Sequence, residues 1–106
     1  MRVFVKDPGK YLVEKDLPNT LEALQEAVGG YIEVVPIFKD MVMIVNEEGK
    51  IRKMDYNFHM VLLRDDIFGP AVFAGVKGDE FTDVPKVATV ENIKEILPGI
   101  GASNDF

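Results

Sequence analysis

Carboxylates are the side chains of this 106-residue chain with the clearest potential for chemistry. Asp65 and Asp66 are adjacent, and with Glu33 they form the set that could act in general acid–base catalysis. Adjacent carboxylates point to opposite sides of a strand, so we expect solvent contact here rather than a metal site. An enzyme built on these residues requires at least two of their carboxyl groups to converge in a cleft.

Other catalytic patterns are missing from the sequence. There is no cysteine, which excludes disulfides and thiolate chemistry. His59 is the only histidine, and it lies in the apolar run "NFHMVLL" without the arrangement of a nucleophilic triad. The stretch "GDEFTD" lacks the spacing of a calcium loop, and "GVKGDE" does not match a phosphate loop. We therefore predict no catalytic residue, no metal site and no cofactor.

The charge balance bears on the class of partner. The chain has 12 basic and 18 acidic residues, a formal net charge of −6. Nucleic-acid binding is driven largely by neutralisation of phosphates, so we expect no direct contact with DNA or RNA. No segment has the roughly 18 apolar residues of a membrane span, and the N-terminus lacks the pattern of a signal peptide. The sequence predicts a soluble cytoplasmic protein.

Local patterns define a hairpin and two helices. "RVFVK" alternates as a strand does, and "DPGK" supplies turn chemistry before the return strand "YLVEKDL". Asn19 is the expected N-cap of a first helix, which Gly29 ends in the left-handed conformation. Thr89 is the expected cap of a second, short helix that Pro98 and Gly99 end.

The remaining segments are mostly strands. "YIEVV" precedes Pro36, which has no amide donor and therefore marks a strand end, an edge or a bulge. "MVMIV" is continuously apolar, as in a central strand, and "GPAVFAGV" is the last predicted strand. Residues 57–68 are compatible with a helix, a loop or a strand. We predict an α+β fold with a mainly antiparallel sheet of five to six strands and two short helices, in the order ββαβββ(β)α.

We expect one domain at residues 1–98 and a flexible tail at residues 99–106. Three blocks carry a family resemblance, namely "NTLEALQEAVGGYIEVVPI", "VNEEGK" and "GPAVFAGVKGDEFTDV". In this order the chain resembles domain of unknown function 3846, a family of small bacterial, phage and plasmid proteins. The likeness covers Val3 to about Leu97 and departs between Lys50 and Phe68, where a proline- or asparagine-containing loop is expected. It implies a fold and a mobile-element setting but no catalytic residues.

Glu33 stands in the middle of an otherwise apolar strand. Strand alternation places Tyr31, Glu33 and Val35 on one side, and Phe4 of the first strand can lie beside them. If both helices cover the opposite face, Glu33 meets solvent and the four residues form an open surface that binds a partner or a second copy. The alternative is that the C-terminal helix or residues 57–68 cover this face. Both interpretations are compatible with the sequence.

Three functions follow from these patterns. The first is a non-enzymatic accessory protein of a mobile element that contacts an unidentified host protein, for example to inhibit host defence, or contacts itself as a homodimer. The second is an oligomeric protein that binds a nucleotide-like small ligand between subunits. The third, ranked last, is an enzyme that uses Glu33, Asp65 and Asp66.

Overall fold

A computed structural model describes residues 1–100 of the chain. These residues form eight strands and two helices: β1 (Arg2–Lys6), β2 (Val13–Asp16), α1 (Leu21–Val28), β3 (Ile32–Phe38), β4 (Met41–Asn46), β5 (Tyr56–Met60), β6 (Asp65–Phe68), β7 (Ala71–Lys77), β8 (Glu80–Thr82) and α2 (Val90–Ile96). The predicted α+β class and element order are confirmed. The strand count is higher than expected because the ambiguous segment forms the β5–β6 hairpin and a polar connection contains β8.

The main sheet is antiparallel throughout. Its strand order is β2-β1-β7-β4-β3, and β8 pairs with the end of β7. β5 and β6 form a separate two-stranded sheet. The apolar β4 lies between β7 and β3, which confirms its prediction as a central strand. Pro36 lies on the edge strand β3 beside a register shift, as a residue without an amide donor requires.

Residues at the helix ends account for where each helix begins and where α1 ends. Thr20, not Asn19, is the N-cap of α1, because Thr20 Oγ1 accepts a hydrogen bond from the Ala23 N–H at 3.1 Å. Asn19 instead donates its side-chain amide to the Phe81 carbonyl at 2.9 Å and so holds the start of α1 against β8. Gly29 ends α1 with φ of +79°, as predicted. Thr89 caps α2, also as predicted.

Both faces of the main sheet are covered, by different elements. α1 packs on one face, where its Leu24 and Val28 meet apolar residues of the central strands, Val3, Val5, Val42, Ile44 and Val72. The β5–β6 hairpin and α2 pack on the opposite face, against Phe4, Met43 and Phe73. The two helices therefore lie on opposite sides of the sheet. Of the two interpretations that the sequence left open, the open face is wrong, because residues 57–68 and α2 both pack on it.

The C-terminal end of the described chain is packed. Ile100 is fully buried in the cluster formed with α2, although the predicted tail begins at residue 99. The rest of that predicted tail, residues 101–106, lies outside the described residues. Neither helix within residues 1–100 has the length and apolar character that crossing a membrane requires.

Candidate functional site

The structure separates the four residues predicted to form a binding face. Phe4 is completely buried under the β5–β6 hairpin and so contributes nothing to a surface. Tyr31 is 70% exposed, Glu33 is exposed, and Val35 is half-buried against the core. Of the three residues that remain accessible, Tyr31 directly precedes β3, and Glu33 and Val35 lie within this edge strand of the main sheet.

The outer edge of β3, the side that faces away from β4, has no partner strand within residues 1–100. The Glu47 N–H donates to the Tyr31 carbonyl at 2.9 Å, so Tyr31 turns its backbone groups toward β4. Backbone groups alternate along an antiparallel strand, so Glu33 and Val35 also bond to β4. The backbone groups of Ile32, Val34 and Pro36 point outward.

This edge therefore offers a short, defined set of hydrogen-bonding groups. Ile32 and Val34 each present an N–H and a carbonyl, whereas Pro36 presents only a carbonyl. The Val34 side chain is 41% exposed on the same edge. Unpaired backbone groups on an edge strand are a template for a strand from another chain.

The opposite edge of the sheet is of a different kind. β2 has only four residues, "VEKD", and three of them are charged. Arg2 of the neighbouring β1 forms an ion pair with Glu14 at 3.0 Å. Short, charged edge strands resist pairing with other chains. β3, with seven residues and a single charge, is the more receptive of the two edges.

A cleft of about 260 Å³ opens beside Glu33. We call it the acidic cleft, since four carboxylates and one lysine contribute to its lining: Glu33, Glu47, Asp65, Asp66 and Lys50. The three carboxylates considered for catalysis thus line one cleft, which the sequence alone did not determine. They come together because the β5–β6 hairpin lies over the sheet face on which Glu33 stands.

Two carboxylates of the acidic cleft contact basic side chains. Lys50 Nζ forms an ion pair with Asp65, and this hydrogen bond holds the pKa of the Asp65 carboxyl below its usual value. His59 Nδ1 lies 2.9 Å from Asp66 Oδ1, across the β5–β6 pair. Asp65 is therefore a carboxylate at neutral pH and not a proton donor. No cation within residues 1–100 pairs with Glu33 or Glu47.

The carboxylates of the acidic cleft are not arranged as a metal site. In the described part of the chain, no group of three or more histidine, cysteine, aspartate or glutamate side chains is placed to hold a metal ion. The acidic cleft offers fixed negative charge beside an unpaired strand edge, an arrangement suited to a charged polypeptide.

A second exposed feature was missed by sequence reasoning. The turn of the β5–β6 hairpin carries three consecutive aliphatic residues, Val61, Leu62 and Leu63, which are 38%, 48% and 39% exposed. Arg64 completes this turn with φ of +52°. Turns are normally polar, so the run "VLL" followed by "RDD" was the available signal.

An apolar groove of about 310 Å³ lies between α2 and the β3–β4 turn. Phe38, Met41 and Ile93 are among its lining residues, and the exposed Val87 and Ile96 also border it. No side chain of the acidic cleft reaches this groove. The two surfaces are separate.

Comparison with known proteins identifies the chain at the level of a family. The model of the family described as Domain of unknown function (DUF3846) matches residues 1–96. No curated protein matches the chain, and no solved structure matches it.

Proposed function

We propose that this chain, which belongs to the family described as Domain of unknown function (DUF3846), is a non-enzymatic protein that binds another protein through the outer edge of β3. The observation that carries the proposal is the unpaired edge of β3, with the outward backbone groups of Ile32 and Val34. Strand addition uses such groups for affinity and the alternating side chains for specificity.

The side chains at this edge support the same function. Tyr31 is largely exposed, and aromatic residues are enriched at protein interfaces because one ring gives both apolar area and a polar tip. Val34 adds exposed apolar surface on the opposite face of the strand. The net charge of −6 makes a protein a more suitable partner than a nucleic acid.

The outward N–H of Val34 allows a direct test. Val34→Pro removes this donor and places a ring at the edge, while the β3–β4 hydrogen bonds are made by the neighbouring residues. Val34→Thr is the matched control, since it keeps the donor and a β-branched side chain. Wild type and both variants serve as bait in a bacterial lysate, with captured proteins quantified by mass spectrometry.

The expected result is a protein retained by wild type and Val34→Thr and lost with Val34→Pro. Circular dichroism and urea unfolding confirm that all three baits are folded. The proposal is overturned if no protein is enriched, or if every enriched protein is retained equally by Val34→Pro.

The biological setting is part of the proposal. The family resemblance implies phages and plasmids, and in that setting the bound protein is a cytoplasmic host protein, with inhibition of a host defence system as one form of the activity. A binding protein needs no catalytic residue for this role. The test is whether the protein captured through the β3 edge loses its own activity when the purified chain is added.

A carboxylate-dependent enzyme is the second candidate, and one observation favours it. Glu33, Asp65 and Asp66 line the same cleft, and this shared position supports such chemistry. The lowered pKa of Asp65 opposes it, because a general acid needs a raised value. Hydrolysis of a panel of ester, phosphate and glycoside substrates that is abolished by Glu33→Gln would establish this candidate.

A further inference from the structure

We propose that the strand received by β3 is extended, antiparallel and positively charged, with a lysine or arginine directly opposite Glu33. This inference rests on the proposed binding at the β3 edge and names the chemistry of the partner. It follows from two antiparallel registers in which the edge could pair with a second copy of itself, since Glu33 disfavours the first and Pro36 disfavours the second.

In the first register, Glu33 lies opposite Glu33 of the copy. Ile32 and Val34 then exchange all of their outward N–H and carbonyl groups with Val34 and Ile32 of the copy. The two glutamates form the narrow, non-hydrogen-bonded pair of this ladder, with Cα atoms about 4.5 Å apart. Like charges directly opposite one another destabilise a strand pair.

In the second register, Val34 lies opposite Val34 of the copy. Ile32 then faces Pro36 of the copy, which has no N–H to donate to the Ile32 carbonyl. The proline ring also occupies the place where a hydrogen bond would form. Two-fold symmetry repeats this defect, so the register leaves two carbonyl groups unpaired.

A cation on the incoming strand removes the repulsion between like charges that disfavours the first register. A lysine or arginine opposite Glu33 converts the repulsive pair into an attractive one while the four backbone hydrogen bonds remain. This side chain projects on the face of Glu33, where the acidic cleft begins. Glu47, which has no cationic partner within residues 1–100, lines that cleft and adds to the attraction.

A copy of the chain with lysine in place of Glu33 provides an edge strand with a cation at its centre. The Glu33→Lys variant carries the same backbone edge with a central cation, so it serves as the probe for wild type. The solution masses of wild type, of the variant and of their equimolar mixture are measured by light scattering up to about 1 mM, where weak pairing is detectable.

The expected result is a mixed dimer only in the equimolar sample. Wild type alone and the variant alone stay monomeric because each brings two like charges together. Salt dissociates the mixed dimer, and Val34→Pro in either chain abolishes it. A mixture that stays monomeric at the highest concentration, or a wild-type chain that dimerises alone, overturns the inference.

A second measurement distinguishes failure of this inference from failure of the proposed function. The protein captured by wild type in the lysate experiment is tested against Glu33→Lys and Glu33→Gln. We expect loss of at least about tenfold in affinity with lysine and a smaller loss with glutamine. If capture depends on the Val34 N–H but is unchanged by Glu33→Lys, the edge binds a partner and the charge inference alone is wrong.

Discussion

Lys6 Nζ and Asn57 Oδ1 lie 2.9 Å apart in the interior, and the Asn57 amide donates to the Lys6 carbonyl at 2.7 Å. Both residues are buried, and the Asn57 amide also donates to the Gly69 carbonyl at 2.8 Å. The Lys6 ammonium donates in addition to the Asp7 carbonyl. This reciprocal pair joins β1 to the β5–β6 hairpin, and so it positions the hairpin that shapes the acidic cleft.

Asn57→Leu should destabilise the fold by about 3 kcal/mol. The substitution leaves the buried Lys6 ammonium with one fewer acceptor and removes the side-chain donor to the Lys6 and Gly69 carbonyls, and buried polar groups that lose a partner retain their desolvation cost. Urea unfolding followed by circular dichroism measures the change. The double variant Lys6→Met/Asn57→Leu should recover part of the loss, and a double variant no more stable than Asn57→Leu would contradict this explanation.

The stability of the fold should depend on pH through Lys6. Burial lowers the pKa of the Lys6 ammonium below 10.5, and the nearby Asp7 partly offsets this shift. Between the folded and unfolded pKa values the unfolded chain binds more protons, so the unfolding free energy rises with pH in that window. Wild type should therefore gain stability relative to Lys6→Met as the pH approaches 10.5 from below. Urea titrations of both proteins at several alkaline pH values measure this difference, which stays constant if Lys6 is unperturbed.

Glu33→Thr should convert the chain into a dimer. Threonine removes the central charge and favours strands, so the register that pairs Ile32 with Val34 of a second copy becomes accessible. Size exclusion with light scattering measures the mass. Adding Val34→Pro to the same chain should restore the monomer, and a dimer that persists in this double variant would place the contact elsewhere.

Gly75→Ala should be far more destabilising than Gly78→Ala. A Cβ at Gly75 would lie 2.0 Å from the Asp83 carbonyl oxygen, so β7 and the chain after β8 would have to separate. We expect a loss of about 3 kcal/mol or more by urea unfolding. Gly78 has open space and a φ of +64°, so alanine there should cost only about 1 kcal/mol. Equal losses of unfolding free energy in the two variants would show that the short distance between Gly75 and the Asp83 carbonyl does not determine the cost.

Local rules were sufficient for features whose cause lies within a few neighbouring residues. The end of α1 at Gly29 and the cap of α2 at Thr89 follow from backbone conformation and short-range hydrogen bonds. Pro36 indicated an edge because it cannot donate to a neighbouring strand. Alternation also placed Tyr31 and Glu33 on one side of β3, and the register confirms this.

Features that depend on distant segments could not be predicted in this way. Phe4 alternates correctly within β1, yet its burial is decided by a hairpin more than fifty residues later in the chain. Lys6 lies on the same face of β1, and the sequence does not show that Asn57 will accept a hydrogen bond from its ammonium group. Thr20 caps α1 in place of Asn19, because the Asn19 side chain donates a hydrogen bond to the Phe81 carbonyl of β8. The acidic cleft arises from the same long-range placement.

The position of β7 has a consequence for protein synthesis. The N-terminal β1–β2 hairpin and the β3–β4 hairpin are joined in the main sheet through β7, which pairs with β1 on one side and β4 on the other. β7 begins at Ala71, so a ribosome has translated both of these hairpins before β7 emerges. Until then the nascent chain holds two hairpins whose apolar inner edges are unpaired, so it is at this stage that chaperone binding should be strongest.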